Sequence, residues 1–180
     1  MALAVISLLP ASTGDRPARI LLAVAMAAAL AGDVLLLIEG WFIAGLLAFL
    51  VTHLCYLALF RRGVGWFPSR LAPVVILGLA ALILAWEFPR LPAELRVPVA
   101  VYTSVIGLMV SQAIGRATVL GTRAAWLVAG GAALFMASDT MISINRFVLP
   151  FDLSGFAIMA TYYLGQILIL RHALVETDRR

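Results

Sequence analysis

The sequence has no lysine and a single cysteine, Cys55. One thiol excludes a disulfide framework and a cysteine-ligated metal cluster, so Cys55 reads most simply as a small buried hydrophobe. Histidine is nearly as scarce. His53 and His172 fall in different apolar runs, His172 at the far end of the last one, so no histidine-based metal site is expected and no cofactor is implied. Charge is also sparse, at 12% of the 180 residues. What fills the chain is apolar: 64% of it is hydrophobic, where a soluble domain stands nearer half. The mean hydropathy of +1.08 leads to the same conclusion, an integral membrane protein.

Crossing a bilayer takes roughly 20 apolar residues as a helix. Six runs qualify: 20–38, 41–60, 71–88, 97–114, 124–144 and 153–170. The expected fold is therefore all-α, a polytopic transmembrane helix bundle of six spans forming a single domain over residues 1–180, with no room for a soluble one. The opening MALAVISLLP is apolar but too short to span. It lacks the basic region and small-residue cleavage site of a signal peptide, and reads as the tail of a helix that is missing.

A net charge of +4 might suggest nucleic acid, but the 13 arginines follow membrane topology instead. Threaded through six spans, Arg16, Arg19, Arg61, Arg62, Arg70, Arg116, Arg123, Arg171, Arg179 and Arg180 share one side, against Arg90, Arg96 and Arg146 on the other. By the positive-inside rule both termini are expected in the cytoplasm. Trp41 and Trp86 then mark outer helix ends and Trp66 and Trp126 inner ones, as an aromatic belt would.

Against this background two carboxylates stand out, Asp33 in AGDVLLLI and Asp139 in ASDTMISI. An ionised aspartate at the centre of a membrane helix costs roughly 2.5–3.5 kcal/mol even on the lenient insertion scale. A chain that keeps two is expected to use them. Ala25, Ala29 and Asp33 share a face, as do Gly131, Phe135, Asp139 and Ser143, and such small residues let a neighbouring backbone approach. Counted from Arg19 and Arg123 at 1.5 Å per residue, the two carboxylates lie at ~21 and ~24 Å, a shared depth. They are expected to face each other. The same count from Arg61 puts His53 at ~12 Å, lining a cavity below the carboxylates without touching them.

Other polar side chains suggest supporting roles. His53 and Tyr56 share a helical face at i, i+3, as do Tyr163 and Gln166, and together they would form an inner polar shelf. Tyr102 is the hydroxyl of its run most suited to a site. Asn145 and Arg146 lie beyond Asp139, and Arg146 is seven residues along the same face, hence ~10 Å away. That suits a lipid phosphate at the outer mouth, and equally an interfacial anchor. Glu87, one residue from the end of its run, reads as an interfacial charge that snorkels to water.

Five blocks taken in order, GDVLLL at 32–37, GLLAFLVTHLCY at 45–56, PVAVYTSVIGLM at 98–109, FMASDTMISINRF at 135–147 and YYLGQILI at 162–169, resemble the YhhN-type membrane family, whose animal members are lysoplasmalogenases. The resemblance implies an eight-helix bundle that hydrolyses the vinyl ether bond of lysoplasmalogen-like lipids to a fatty aldehyde and a glycerophospho-alcohol. It implies a lipid partner in the bilayer, no nucleic acid, no metal, and a bacterial inner membrane as the setting. Position by position it carries Asp33 and Asp139 over as the family aspartates, with His53, Tyr102, Asn145, Arg146 and Gln166 at other motif positions. The departure is at the start, where two helices of the family pattern are expected and not found. Chemically, two facing carboxyls would supply one acid and one base that titrate as a pair, as in glycosidases, where two carboxyls serve an oxocarbenium-like transition state. Two other classes use the same residues: a proton-coupled carrier of a small solute or lipid, since membrane aspartates also mark ion pathways, and a bundle in which the aspartates only tie helices together.

Overall fold

The computed structural model describes residues 16–173. The opening MALAVISLLP and the tail arginines Arg179 and Arg180 lie outside the described residues. Within them the chain is helical, with no strand: α1 (Arg16–Leu36), α2 (Phe42–Arg61), α3 (Leu71–Glu87), α4 (Ala93–Leu120), α5 (Arg123–Ser143) and α6 (Ser154–His172). A three-residue 3-10 turn, Phe88–Arg90, follows α3, and a π-helical segment, Ile144–Val148, follows α5. Five segments are long and apolar enough to cross a membrane: Arg16–Leu36, Phe42–Arg61, Leu71–Arg90, Ala93–Leu120 and Arg123–Val148. The sixth helix, α6, has 19 residues and is less apolar because it carries Thr161, Tyr162, Tyr163 and Gln166. All four tryptophans are exposed near helix ends or in a connection.

Small residues decide which faces meet. On α1 the buried positions are Ala18, Leu22, Ala25, Ala29 and Gly32, a single stripe at three- and four-residue spacing. That stripe packs on α2. A Cβ at Gly32 would come within 2.6 Å of the Phe49 ring, and the Thr52 hydroxyl donates to the Ala25 carbonyl at 3.1 Å. The α5–α6 pair approaches even more closely, since a Cβ at either Gly131 or Gly165 would lie 2.7 Å from the other's carbonyl oxygen. Van der Waals contact at this range takes the place of the hydrophobic effect, which does not draw helices together inside lipid.

The 28-residue α4 is the central element, buried at thirteen positions between Leu95 and Ala117. It runs on past its apolar stretch because its C-terminal end is packed against protein. Gln112 accepts from the Phe67 backbone N–H at 2.7 Å and donates to the Gly65 carbonyl at 2.8 Å, and Arg116 donates to the carbonyls of Arg62 and, at 3.5 Å, Phe60. The α2–α3 connection is thereby sewn to α4 well short of its end. Gly121, at φ +65°, then terminates α4, and the Thr122 side chain caps α5 by accepting from Ala125 N–H. By contrast α3 is peripheral and buries only Ala72, Ala80 and Glu87.

Two neighbouring glycines separate close approach from mere flexibility. Gly131→Ala places its Cβ against the Gly165 carbonyl and is expected to cost about 1–3 kcal/mol, as overpacking does. At Gly130 a Cβ meets nothing within 4 Å, so Gly130→Ala is expected to be neutral or slightly stabilising. Thermal unfolding of both variants in detergent checks the contrast; equal midpoints would contradict it.

Candidate active site

Asp139, on α5, is hydrogen-bonded from two other helices. The Tyr102 hydroxyl of α4 donates to Asp139 Oδ2, and His53 Nε2 of α2 lies 3.2 Å from the same oxygen. Nε2 is also 2.8 Å from the Tyr102 oxygen. With the Tyr102 proton directed at the carboxylate, an Nε2–H is shared between the carboxylate and the tyrosine oxygen. His53 is fully buried, its Nδ1 has no hydrogen-bond partner, and its ring rests against Phe135 at 4.9 Å. Both bonds to Asp139 fall on Oδ2, so Oδ1 carries none among the described residues.

This corrects the expectation that His53 would lie a level below the carboxylates. Depth counted from arginines assumes that helices end at one plane, and here they do not. Phe60 at the end of α2 meets Gln112 and Arg116, and Gln112 is eight residues from the end of α4, hence ~12 Å short of the α4–α5 turn. The offset equals the apparent gap between His53 and Asp139.

Asp33 belongs to a second cluster. Tyr162 of α6 donates to Asp33 Oδ2 at 3.1 Å, Gln166 Nε2 donates to the Tyr162 oxygen at 3.4 Å, and Tyr56 of α2 donates to Gln166 Oε1 at 2.5 Å. The expected shelf of His53, Tyr56, Tyr163 and Gln166 is therefore divided. Tyr56 and Gln166 meet, His53 turns to Asp139, and Tyr163 only tilts against Tyr162 at 5.3 Å between centroids. Tyr162 takes the place assigned to Tyr163. Its signal was the four-residue spacing to Gln166, which matches a helical turn as well as the three-residue spacing of Tyr163 does.

Among the described residues no hydrogen bond joins the two aspartates, and their clusters meet at an aromatic partition. Phe135, fully buried, contacts His53 on one side and Tyr162 and Tyr56 on the other, and Phe49 packs edge-on against both Phe135 and Tyr162.

A mainly apolar cavity opens beside Asp139, with Phe42, Phe49, Ile106 and Met136 among its walls and Tyr102, Asp139, Glu87 and Ser143 as polar groups. Asp33 is not on its lining. Glu87 corrects a second expectation, because it is 3% exposed and does not snorkel to water. It is seven residues from Ala80, the packed position of α3, so it faces the bundle, where the Ser143 hydroxyl donates to its Oε2 at 2.6 Å.

Asn145 and Arg146 fall in the π-helical segment, so the α-helical spacing that put Arg146 on the Asp139 face stops at Ser143. Asn145 Oδ1 accepts from Phe151 N–H at 3.2 Å and so secures the turn into α6. The Arg146 guanidinium sits 4.5 Å over the Phe42 ring, at the cavity wall. Among the described residues no group of three His, Cys, Asp or Glu is arranged to hold a metal.

Comparison with known proteins adds an independent line of support. No solved structure matches the chain. Lysoplasmalogenase TMEM86A of Bos taurus is 34% identical over 143 residues, covering 78% of this chain and 58% of the relative. A lysoplasmalogenase of Mycobacterium bovis is 38% identical over 147 residues, covering 77% and 54%. Lysoplasmalogenase TMEM86B of Homo sapiens is 31% identical over 152 residues, covering 82% and 62%. The chain thus spans somewhat over half the length of the curated relatives it matches. The pattern of the YhhN family matches residues 1–173. With that match over nearly its whole length, and with its helices and polar positions arranged as described, this integral membrane protein belongs to the YhhN family.

Proposed function

We propose that the protein is a membrane-embedded hydrolase that cleaves the vinyl ether bond of lysoplasmalogen-like lipids, with Asp139 as the acid and then the base at the alkene and Asp33 as the second carboxyl of the pair. The observation that carries the reading is Asp139 at the wall of an apolar cavity, held by Tyr102 and His53 at one oxygen with the other oxygen free. The curated relatives, named lysoplasmalogenases, support the substrate class.

Vinyl ether hydrolysis asks little beyond this. A carboxylic acid transfers its proton to the outer alkene carbon, and the electron pair of the double bond forms the new C–H bond. The ether oxygen stabilises the resulting cation as an oxocarbenium ion. Water adds to the carbon bonded to the ether oxygen and gives its proton to the carboxylate, and the hemiacetal collapses to aldehyde and alcohol. One water is consumed and the acid is regenerated. Asp139 lines the cavity where an alkenyl chain would lie, and Asp33 acts across the partition through its charge and its Tyr162–Gln166–Tyr56 line of hydrogen bonds. Tyr102 and His53 orient Asp139; Arg146 over Phe42 marks the end where a lipid phosphate would sit. The arginine bias supports a threading with both termini in the cytoplasm, and the setting of this reading is a bacterial inner membrane.

Aldehyde release from a lysoplasmalogen by the purified protein tests the reading. Wild type is expected to release it, and Asp33→Asn and Asp139→Asn are each expected to lose on the order of 100-fold or more, the lower range for acid–base catalysis. Full release by either variant would refute the paired-carboxyl mechanism. Proton-dependent solute uptake into vesicles with no aldehyde formed would assign the aspartates to a carrier instead.

Tyr102→Phe keeps the ring and removes only the donor to Asp139. Loss of one charge-assisted hydrogen bond, about 1.5–3 kcal/mol, is expected to lower kcat by roughly 10-fold or more with little change in KM. An unchanged kcat would exclude Tyr102 from orienting the carboxylate.

A further inference from the structure

Glu87 is the one carboxyl on the cavity wall that the mechanism leaves unused. It is 3% exposed; Oε2 is satisfied by the Ser143 hydroxyl at 2.6 Å, and Oε1 is buried with no partner among the described residues. An unpartnered buried carboxyl oxygen is expensive, and a donor brought by a ligand would remove the penalty. Its position is defined. Ser143 and Asp139 are four residues apart on α5, so the Glu87 carboxyl lies about one helical turn, ~6 Å, along the cavity from Asp139.

The geometry points to Glu87 as the residue that recognises the free glycerol hydroxyl of the lyso lipid, through Oε1. This rests on the hydrolase reading and adds to it the reason for a lyso substrate. In such a lipid the hydroxyl is separated from the alkene carbons by the ether oxygen and two glycerol carbons, a reach comparable to one helical turn. The phosphate offers no donor to a carboxylate, and an ammonium headgroup lies beyond the phosphate, much farther from the alkene. A lipid acylated at that hydroxyl presents an ester, which has no proton to donate and adds a second chain. The apolar cavity therefore holds the alkenyl chain, Asp139 faces the ether, and Glu87 checks that the neighbouring position is a hydroxyl.

The test compares two substrates, a lysoplasmalogen and its analogue with hydrogen in place of the glycerol hydroxyl. Wild type is expected to prefer the hydroxylated substrate on the order of 10- to 100-fold in kcat/KM, the range of one hydrogen bond to a charged group. Glu87→Met is expected to bring that preference close to unity by lowering kcat/KM for the hydroxylated substrate alone. No preference in wild type, or an undiminished preference in Glu87→Met, would overturn the assignment. Should Glu87→Met fail to fold, Ser143→Ala releases the carboxyl from its holder and is expected to weaken the preference, while an unchanged preference overturns it. Absence of aldehyde from either substrate with wild type would instead refute the hydrolase reading. Recognition is then measured by thermal stabilisation with the saturated ether lyso lipid and its deoxy analogue. Hydroxyl-dependent stabilisation lost in Glu87→Met upholds the assignment, and equal stabilisation by both lipids overturns it.

Discussion

A carboxylate inside a membrane must find its donors on other helices, because lipid supplies none. Asp139 meets that requirement with Tyr102 from α4 and His53 from α2, so one side chain on α5 fixes the mutual register of three helices. Removing any one member takes a hydrogen-bond partner from each of the other two. The same condition governs Asp33, whose donor Tyr162 brings α6 to α1, with Gln166 and Tyr56 extending the line back to α2. Hydrogen bonds between side chains thus link helices that are far apart in sequence, while small residues let the backbones come close enough for those bonds to form.

Phe135 stands where the two lines nearly meet. Four aromatic or imidazole rings touch it, His53 from the Asp139 cluster and Tyr56 and Tyr162 from the Asp33 cluster among them. The cavity is lined by Asp139 and not by Asp33. Such an arrangement sets one carboxyl beside a cavity and the other away from it, a division that two aspartates at equal depth do not by themselves imply.

The helices and the polar outliers Asp33, Asp139 and Tyr102 were legible in the sequence because hydropathy and the cost of a membrane charge are local properties. His53 was visible as a polar outlier but misplaced in depth, since the level at which α2 ends depends on Gln112 and Arg116 gripping the α2–α3 connection, a tertiary fact. Tyr162 and Tyr163 are adjacent and both fit a helical spacing to Gln166, so only packing could choose between them. Glu87 looked interfacial because it is near the end of an apolar run; its face toward Ala80 and Ser143 decided otherwise. Neither the aromatic partition nor the π-helical segment that turns Arg146 toward Phe42 has a signature in residue types alone.

The most direct measurement is an experimental structure of the protein in lipid with a saturated ether lyso lipid, which retains the ether oxygen but cannot be hydrolysed. The expected result is the alkyl chain in the cavity between Phe49 and Ile106, with the ether oxygen and its adjoining carbon beside Asp139 Oδ1. A lipid bound elsewhere, with the cavity beside Asp139 left empty at saturating ligand, would contradict the assignment of Asp139 as the carboxyl that meets the substrate.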